Sequence, residues 1–542
     1  MLTRPAGVPP GEQRAHRWAA LVVLCAAALV INLDNTILNV ALPTLVRDLH
    51  STSSELQWIV DSYAMVFAGL LLVGGSLADR FGRKRFFLIG LGVFAAGSIG
   101  ASLSGSVNLL IAFRAVMGAG AALSIPSSLS IINDVFRDPK ERARAIGAWG
   151  GTIGLGIAIG PIAGGLLLAK FWWGSIFLVN VPIVIVAFVG TVMLVPDSKN
   201  QTAERPDPAG AVLSIFGLGL LLWAIIEAPT KGWSSATVVV AGLASLVVLG
   251  SFVAWEAHCP HPMLKLKFFS ERRFSTAAAA EALGTFGLLG ALFLQTQFLQ
   301  FDLGNSPLEA GLRILPMAGM LVVSASMSPS IARFIGVKFT VAAGLAAVAG
   351  GLWQISAVSA VTTTFGDVIP GLLLVGLGAG LLLPMATNSV VGSVPQGDSG
   401  MGSATNAVAL QVGGALGVAV IGSVMSTRYQ DHMSAALTGR HIPISATHTI
   451  LGSLGGALAV ANSVGGATGA LLSHAARAAF MSGVEISFAV GGCVALGGVV
   501  VVLAWLPSHL SLVPKDSPQV SRANPADESH ANYSVSTHVM DA

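Results

Sequence analysis

Charge is what this chain has least of. Asp, Glu, Lys and Arg make up 10% of its 542 residues, against about a quarter in a water-soluble globular protein, so a hydrated surface wrapped around one core is excluded. Cysteine is nearly absent: Cys25, Cys259 and Cys493 are the full complement, two in apolar runs and one in a connecting segment, and no disulfide framework can be built from them. Basic residues form no cluster interleaved with aromatics, so no nucleic-acid partner is expected. No glycine-rich phosphate loop ending in Gly-Lys-Ser or Gly-Lys-Thr occurs, so ATP hydrolysis is not expected to supply energy. His258-Cys259-Pro260-His261 holds metal-ligand residue types but lacks a second half. No metal, no cofactor and no enzymatic activity are therefore expected.

The chain is filled instead by apolar runs of roughly 20 residues, the length that crosses a ~30 Å hydrocarbon layer as helix. Fourteen can be marked, at 18–42, 57–77, 86–104, 108–132, 145–168, 175–195, 209–228, 236–255, 275–299, 311–335, 338–360, 366–392, 403–426 and 479–506. They are continuously apolar rather than alternating, so they read as helices and not as barrel strands. The fold class predicted is an all-α membrane protein. The first run follows Arg14 and Arg17 as a signal peptide would, but it is too long, contains Asp34 and leads into thirteen more, so it reads as a retained span.

Basic residues give the expected orientation. With the N-terminus inside, the inner segments hold Arg80, Arg83, Lys84, Arg85, Arg142, Arg144, Arg272, Arg273 and most of the rest, while the outer ones hold Arg47, Lys170, Lys231, Arg428, Arg440 and Arg477. That bias places both termini on the cytoplasmic side of a bacterial inner membrane.

The chain also repeats itself. Ser76-Leu77-Ala78-Asp79-Arg80-Phe81-Gly82-Arg83-Lys84 is echoed, without its Asp, by Ser330-Ile331-Ala332-Arg333-Phe334-Ile335-Gly336-Val337-Lys338. Gly118, Gly120 and Pro126 in span 4 recur at the same spacing as Gly376, Gly378 and Pro384 in span 12. Both pairs lie eight spans apart, so spans 7 and 8 read as an insertion between two similar halves. The expected divisions are a tail at 1–17, a six-helix bundle at 18–195, two inserted helices with flanking loops at 196–274, and a second six-helix bundle at 275–506. That second bundle carries a long outer loop at about 428–476, where a stretch at 450–472 would add a fifteenth span if it inserted. The segment 507–542 is polar and expected to be disordered.

Further stretches stand out: Leu33-Asp34-Asn35-Thr36-Ile37-Leu38-Asn39-Val40-Ala41-Leu42-Pro43; Gly75 to Lys84; Arg114 with Gly118 and Gly120; Gly151, Gly156, Gly160, Pro161, Gly164 and Gly165; and Gln300 to Pro316. These resemble the major facilitator superfamily, and within it the fourteen-helix drug/proton antiporter branch, over about 18–506. The first is similar to the branch's first-helix signature, with Leu38 where Val is commoner. The second resembles the superfamily's loop between helices 2 and 3. The third resembles a fourth-helix motif linked in the family to proton transfer, with Met117 in place of the commoner Gln. The glycines and Pro161 keep the spacing of the fifth-helix motif that marks exporters, and the last stretch resembles the link between helices 9 and 10.

The resemblance implies the major facilitator fold, two six-helix bundles plus two inserted helices. It implies a proton-coupled secondary antiporter that exports hydrophobic, often cationic drugs or antiseptics from the cytoplasm by alternating access. The alternatives are a dedicated exporter of one endogenous metabolite, lipid-like compound or siderophore, and a non-transporting sensor of the same fold. Expected partners are small hydrophobic or cationic substrates, protons and membrane lipid.

Intramembrane charges point to the site. An acid deep in a span costs a few kcal/mol and faces a cavity or a partner; Asp34 is such an acid, able to exchange a proton as its surroundings change, and Arg114 in span 4 is its candidate partner. Glu227, Glu281 and Glu485 are the other intramembrane acids. Glu227 and Glu281 are candidates for proton coupling, but they stand near span ends, where hydration favours an interfacial role. Gly75, Asp79, Arg80, Gly82, Arg83 and Lys84 are expected to form a gating loop. Asn39, Met117, Gln295, Gln297, Asn388, Asn406 and Gln411 are expected, with Asp34, to line a substrate cavity.

Overall fold

Apolar segments that meet no water must close their peptide hydrogen bonds internally, and the described residues form helices with no strand among them. The structure, a computed structural model, describes residues 10–199, 206–394, 399–439 and 442–507. Residues 1–9 of the expected N-terminal tail and 508–542 of the expected polar tail lie outside the described residues.

The helices in chain order are α1 (Pro10–Leu49), α2 (Ser53–Phe81), α3 (Arg83–Ser102), α4 (Val107–Val135), α5 (Pro139–Lys170), α6 (Ser175–Leu194), α7 (Pro208–Lys231) and α8 (Ala236–His258). They continue as α9 (Arg272–Asp302), α10 (Pro307–Ile335), α11 (Val337–Val358), α12 (Phe365–Val391), α13 (Ser399–Leu437), α14 (Ile444–Gly452), α15 (Leu454–Val464) and α16 (Gly466–Trp505). Among them 13 are long and apolar enough to cross a membrane, and α5, bent by 42° between Lys140–Gly156 and Ala158–Lys170, makes 14. The bend has a local cause: Pro161 offers no N–H to the carbonyl four residues earlier, and its ring crowds that carbonyl.

The long connection expected at 428–476 is shorter than the sequence suggested, because α13 and α16 continue as helix to Leu437 and from Gly466. Between them lie α14 and α15. With 11 residues, α15 reaches only about 16 Å, so the stretch at 450–472 adds no fifteenth crossing. The Tyr429 hydroxyl donates to the carbonyl oxygens of Ile450 at 2.8 Å and Ser453 at 3.2 Å, and Gly455 rests against Val46 and Phe301. α15 thus covers the ends of α1 and α9, while Tyr429 of α13 holds the turn between the two short helices.

The internal repeat reappears in the packing. A Cβ on Gly118 of α4 would stand 2.5 Å from the Tyr63 carbonyl oxygen of α2, and one on Gly376 of α12 would stand 2.2 Å from the Met317 carbonyl oxygen of α10. Two residues on, Gly120 meets Phe94 N and Gly90 O of α3, and Gly378 meets Val348 N and Gly344 O of α11. Only glycine allows backbones this close. The turns α2/α3 and α10/α11 are likewise each closed by one glycine in the left-handed region, Gly82 at φ 123° and Gly336 at φ 86°, which a side chain would resist. One half therefore comprises α1–α6, the other α9–α13 with α16, and the α7–α8 pair packs on α2 and α13.

Exposed Val186, Met193, Phe216, Val240, Leu246 and Val247 form an apolar exterior suited to lipid rather than water. With fourteen crossings, the two ends of the described chain fall on one face, called here the terminal face.

Candidate functional site

The most deeply buried charges lie inside the first half. Asp34 of α1 and Arg114 of α4 are both 0% exposed. Arg114 Nη1 donates to Asp34 Oδ2, and its Nε donates to the Ile59 carbonyl oxygen of α2 at 3.1 Å. Asn180 of α6 donates from Nδ2 to Asp34 Oδ1 at 2.8 Å and to Ser98 Oγ of α3 at 3.3 Å. The guanidinium carbon stands 4.5 Å from the Tyr63 ring centroid. Five helices thus converge on one ion pair. The approach of α4 to α2 at Gly118, one helical turn beyond Arg114, is what brings the guanidinium within reach.

A buried pair of this kind is a costly element. Its attraction barely offsets the desolvation of two ions, but removing one partner leaves the other unpaired at about 3–5 kcal/mol. Asp34 and Arg114 were expected to interact. Asn180 and Ser98 were not foreseen: neutral polar residues in spans are common, and nothing in their spacing relative to Asp34 singles them out.

A second acid of this half was also missed. Asp61 of α2 is 0% exposed and neither carboxyl oxygen has a hydrogen-bond partner. One turn before it, Gln57 Oε1 accepts from Ser423 Oγ of α13 at 3.2 Å, so this face of α2 looks onto the other half. An acid five residues past Leu56 inside an apolar run was a usable signal.

In the other half, Glu281 of α9 is 0% exposed, which corrects the expectation of a hydrated helix end. α9 begins at Arg272, but α12 and α13 close over its first turns. Thr387 Oγ1 of α12 donates to Glu281 Oε1 at 2.6 Å, and Asn406 Nδ2 of α13 donates to Thr387 Oγ1 at 3.4 Å. Glu281 Oε2 and Asn406 Oδ1 have no partner. Glu227 does lie at a rim, 3.8 Å from Lys231 Nζ, and Glu485 is exposed.

The expected cavity residues scatter. Asn39 donates to the Asn35 carbonyl oxygen at 3.0 Å and Gln297 to that of Phe293 at 3.1 Å, each within its own helix. Gln295 is buried with both side-chain polar atoms unpartnered, Gln411 is half-buried and Asn388 exposed. Met117 is 0% exposed and packs on Gly97 of α3; Asp34 is sealed by its partners. In this conformation neither lines a cavity, because close α2–α4 and α3–α4 packing encloses both.

The expected gating loop is a network within the first half. Arg83 Nε donates to Asp79 Oδ1 at 2.6 Å and its Nη1 pairs with Asp134 of α4. Lys84 Nζ donates to the Val192 carbonyl oxygen of α6 at 2.9 Å, and the Arg80 guanidinium carbon stands 5.5 Å from the Phe81 ring centroid. A Cβ on Gly75 would stand 3.5 Å from Pro126 of α4.

The fifth-helix glycines divide by depth. Gly160 and Gly164 pack on Thr36 and Ile37 of α1, and Thr36 Oγ1 donates to the Gly156 carbonyl oxygen at 2.8 Å. Gly165 meets Pro307 and Leu308 of α10, and Gly311 of α10 meets the Pro161 carbonyl of α5. Toward the terminal face, Gly151 has nothing within 4 Å of its Cβ direction, nor do Gly147 and Gly150. The halves therefore clasp at the end away from the terminal face, where Gln300 Nε2 also donates to the Val40 carbonyl oxygen at 2.8 Å; nearer that face the α5–α10 approach is looser, a Cβ on Gly154 standing 4.0 Å from Val322.

Residues 24–418 match the family described as Major Facilitator Superfamily. The chain is 35% identical over 506 residues to the multidrug efflux pump LfrA of Mycolicibacterium smegmatis, covering 93% of this chain and 99% of that protein. It is 32% identical over 507 residues to a tetracenomycin C resistance and export protein of Streptomyces glaucescens, covering 92% and 94%. It is 30% identical over 484 residues to the methyl viologen resistance protein SmvA of Salmonella typhimurium, covering 89% and 96%. Among solved structures, a bacterial homologue of the lysosomal transporter Spinster, inward-facing and occupied, aligns with TM-score 0.61 at 16% identity, covering 94% of this chain and 100% of that one. A peptide transporter in complex with sulfate aligns with TM-score 0.58 at 16% identity, covering 90% and 94%; these two likenesses concern the fold alone.

Proposed function

The chain belongs to the major facilitator superfamily, and from that premise we propose that it exports hydrophobic, often cationic drugs across a bacterial inner membrane in exchange for protons. The observation that carries the coupling is the Asp34–Arg114 pair, a fully buried carboxylate held by one guanidinium and one amide. Adding a proton to Asp34 cancels its attraction for Arg114 and loosens a junction of five helices. Proton arrival and helix movement are thereby one event.

The terminal face is the cytoplasmic one, supported by the excess of Arg and Lys in its segments. Tightly clasped at the far end and more loosely packed along α5 toward the terminal face, the halves would admit substrate from the cytoplasm, and rocking one half on the other reverses access. A proton moving down 100 mV releases about 2.3 kcal/mol, which with a pH difference concentrates a neutral substrate roughly a hundredfold, whereas a monovalent cation exchanged one-for-one is driven by the pH difference alone. Arg83 with Asp79 and Asp134 ties α2, α3 and α4 so that their half moves as one body.

The test is ethidium efflux from cells or inverted vesicles containing the native chain or Asp34→Asn, with and without a protonophore. The proposal expects protonophore-sensitive efflux that Asp34→Asn abolishes. Undiminished efflux by Asp34→Asn would remove Asp34 from the mechanism. A second reading, export of one dedicated metabolite, is favoured by the likeness to the Streptomyces export protein; it expects no ethidium transport by well-expressed native protein.

A further inference from the structure

The two halves hold buried acids in opposite circumstances. Asp34 has a cation and an amide on its two oxygens, whereas Glu281 has one neutral hydroxyl on Oε1 and nothing on Oε2. A carboxylate that served only to tie α9 to α12 would gain from having both oxygens bonded, and Gln would make the same bond to Thr387 without carrying a charge into the membrane. Asn406 reaches the same hydroxyl, and its own Oδ1 is also bare. Three helices thus bring together a buried acid, a hydroxyl and an amide, with two unused acceptor atoms. Among the described residues no Lys, Arg or His is ion-paired with Glu281; Arg273, lower on α9, lies beside Gly392 at the end of α12.

Depth matters as well. Glu281 stands nine positions after Arg272, the first residue of α9, a rise of about 14 Å from the terminal-face end of that helix. An ionised carboxylate in a dry site with only neutral neighbours costs several kcal/mol.

We propose that Glu281, with Thr387 and Asn406, is a second proton-exchange site located in the C-terminal half, so that one transport cycle carries two protons, at Asp34 and at Glu281. This rests on the antiport reading above. The proton joins Oε2 when the cavity faces outward; when the cavity faces inward the O–H bond breaks and the proton passes to cavity water. A monovalent cationic substrate leaving against two entering protons makes the cycle move one net charge inward.

The experiment uses purified full chain in proteoliposomes with ethidium as the monovalent probe. Reversal potentials on native protein, which need no variant, are expected to give two protons per ethidium; a value of one overturns the proposal. Potential-driven uptake without a pH gradient is then compared with pH-driven uptake without a potential. Glu281→Gln is expected to lose the potential-driven rate by about tenfold while retaining pH-driven exchange, because one proton against one cation carries no net charge. An unchanged ratio of the two rates, or loss of both in Glu281→Gln that still elutes as native, overturns it. Asp34→Asn is expected to lose both. Native protein that moves ethidium without proton movement overturns the antiport reading itself, an outcome distinct from a one-to-one exchange.

Discussion

If Asp34 and Arg114 are coupled as ions, deleting both charges costs less than deleting either. Asp34→Asn exchanges the counter-ion for a neutral amide while the guanidinium keeps the Ile59 carbonyl oxygen at 3.1 Å and the Tyr63 and Phe177 rings at 4.5 and 6.0 Å, and Arg114→Gln leaves the carboxylate without a cation, beside Asn180 at 2.8 Å. Each strands an ion at a site with no exposed surface, so each single variant is expected to lose about 3–5 kcal/mol of stability. The double variant Asp34→Asn/Arg114→Gln replaces the pair by two neutral amides. Removing a whole buried ion pair is often close to neutral, so the double variant is expected within about 1 kcal/mol of native, an interaction term of about 5 kcal/mol or more. Reversible unfolding in mixed micelles measures all four proteins, and ethidium efflux is measured on the same preparations. Additive stabilities would show that the two charges do not see each other. A double variant that regains both stability and efflux would refute the coupling role and leave the pair a structural tie; the expectation is recovered stability with no efflux.

Three further outcomes follow from the geometry. Gly311→Ala places a methyl 2.2 Å from the Pro161 carbonyl oxygen, so it should prevent the α5–α10 clasp and reduce efflux at least tenfold, while Gly151→Ala, which meets nothing within 4 Å, should leave efflux intact and stabilise α5 by up to about 1 kcal/mol; equal behaviour would mean that the clasp is not needed. Arg83→Gln removes the pairs to Asp79 and Asp134 and is expected to slow efflux without changing apparent ethidium affinity, since none of its partners lies in the other half; a changed affinity with unchanged maximal rate would contradict this. Asp61→Asn, at a carboxyl with no partner, should retain or raise stability in the same unfolding assay, and a loss as large as that of Asp34→Asn would mean that Asp61 has a partner in solution.

What could be read in the sequence was what depends on local chemistry. A run of about 20 apolar residues has only one way to satisfy its backbone in lipid, so the spans were legible. Asp34 and Arg114 were legible because an ion there is expensive and calls for a counter-ion. Gly118 and Gly376 were legible as equivalents because close helix packing tolerates one residue type. What remained hidden depends on which helix lies beside which. Glu281 reads as a rim residue when counted from Arg272, and becomes a sealed acid only because α12 and α13 bring Thr387 and Asn406 across it. Asn180 and Ser98 acquire meaning only from the convergence of α6 and α3 on Asp34. Met117, expected in the cavity lining, turns inward onto Gly97. The sequence by itself determined that this chain crosses a membrane as helices and carries a buried ion pair; the tertiary structure alone decided which acids have partners, because a side chain's dielectric and hydrogen bonds are set by neighbours remote in the chain.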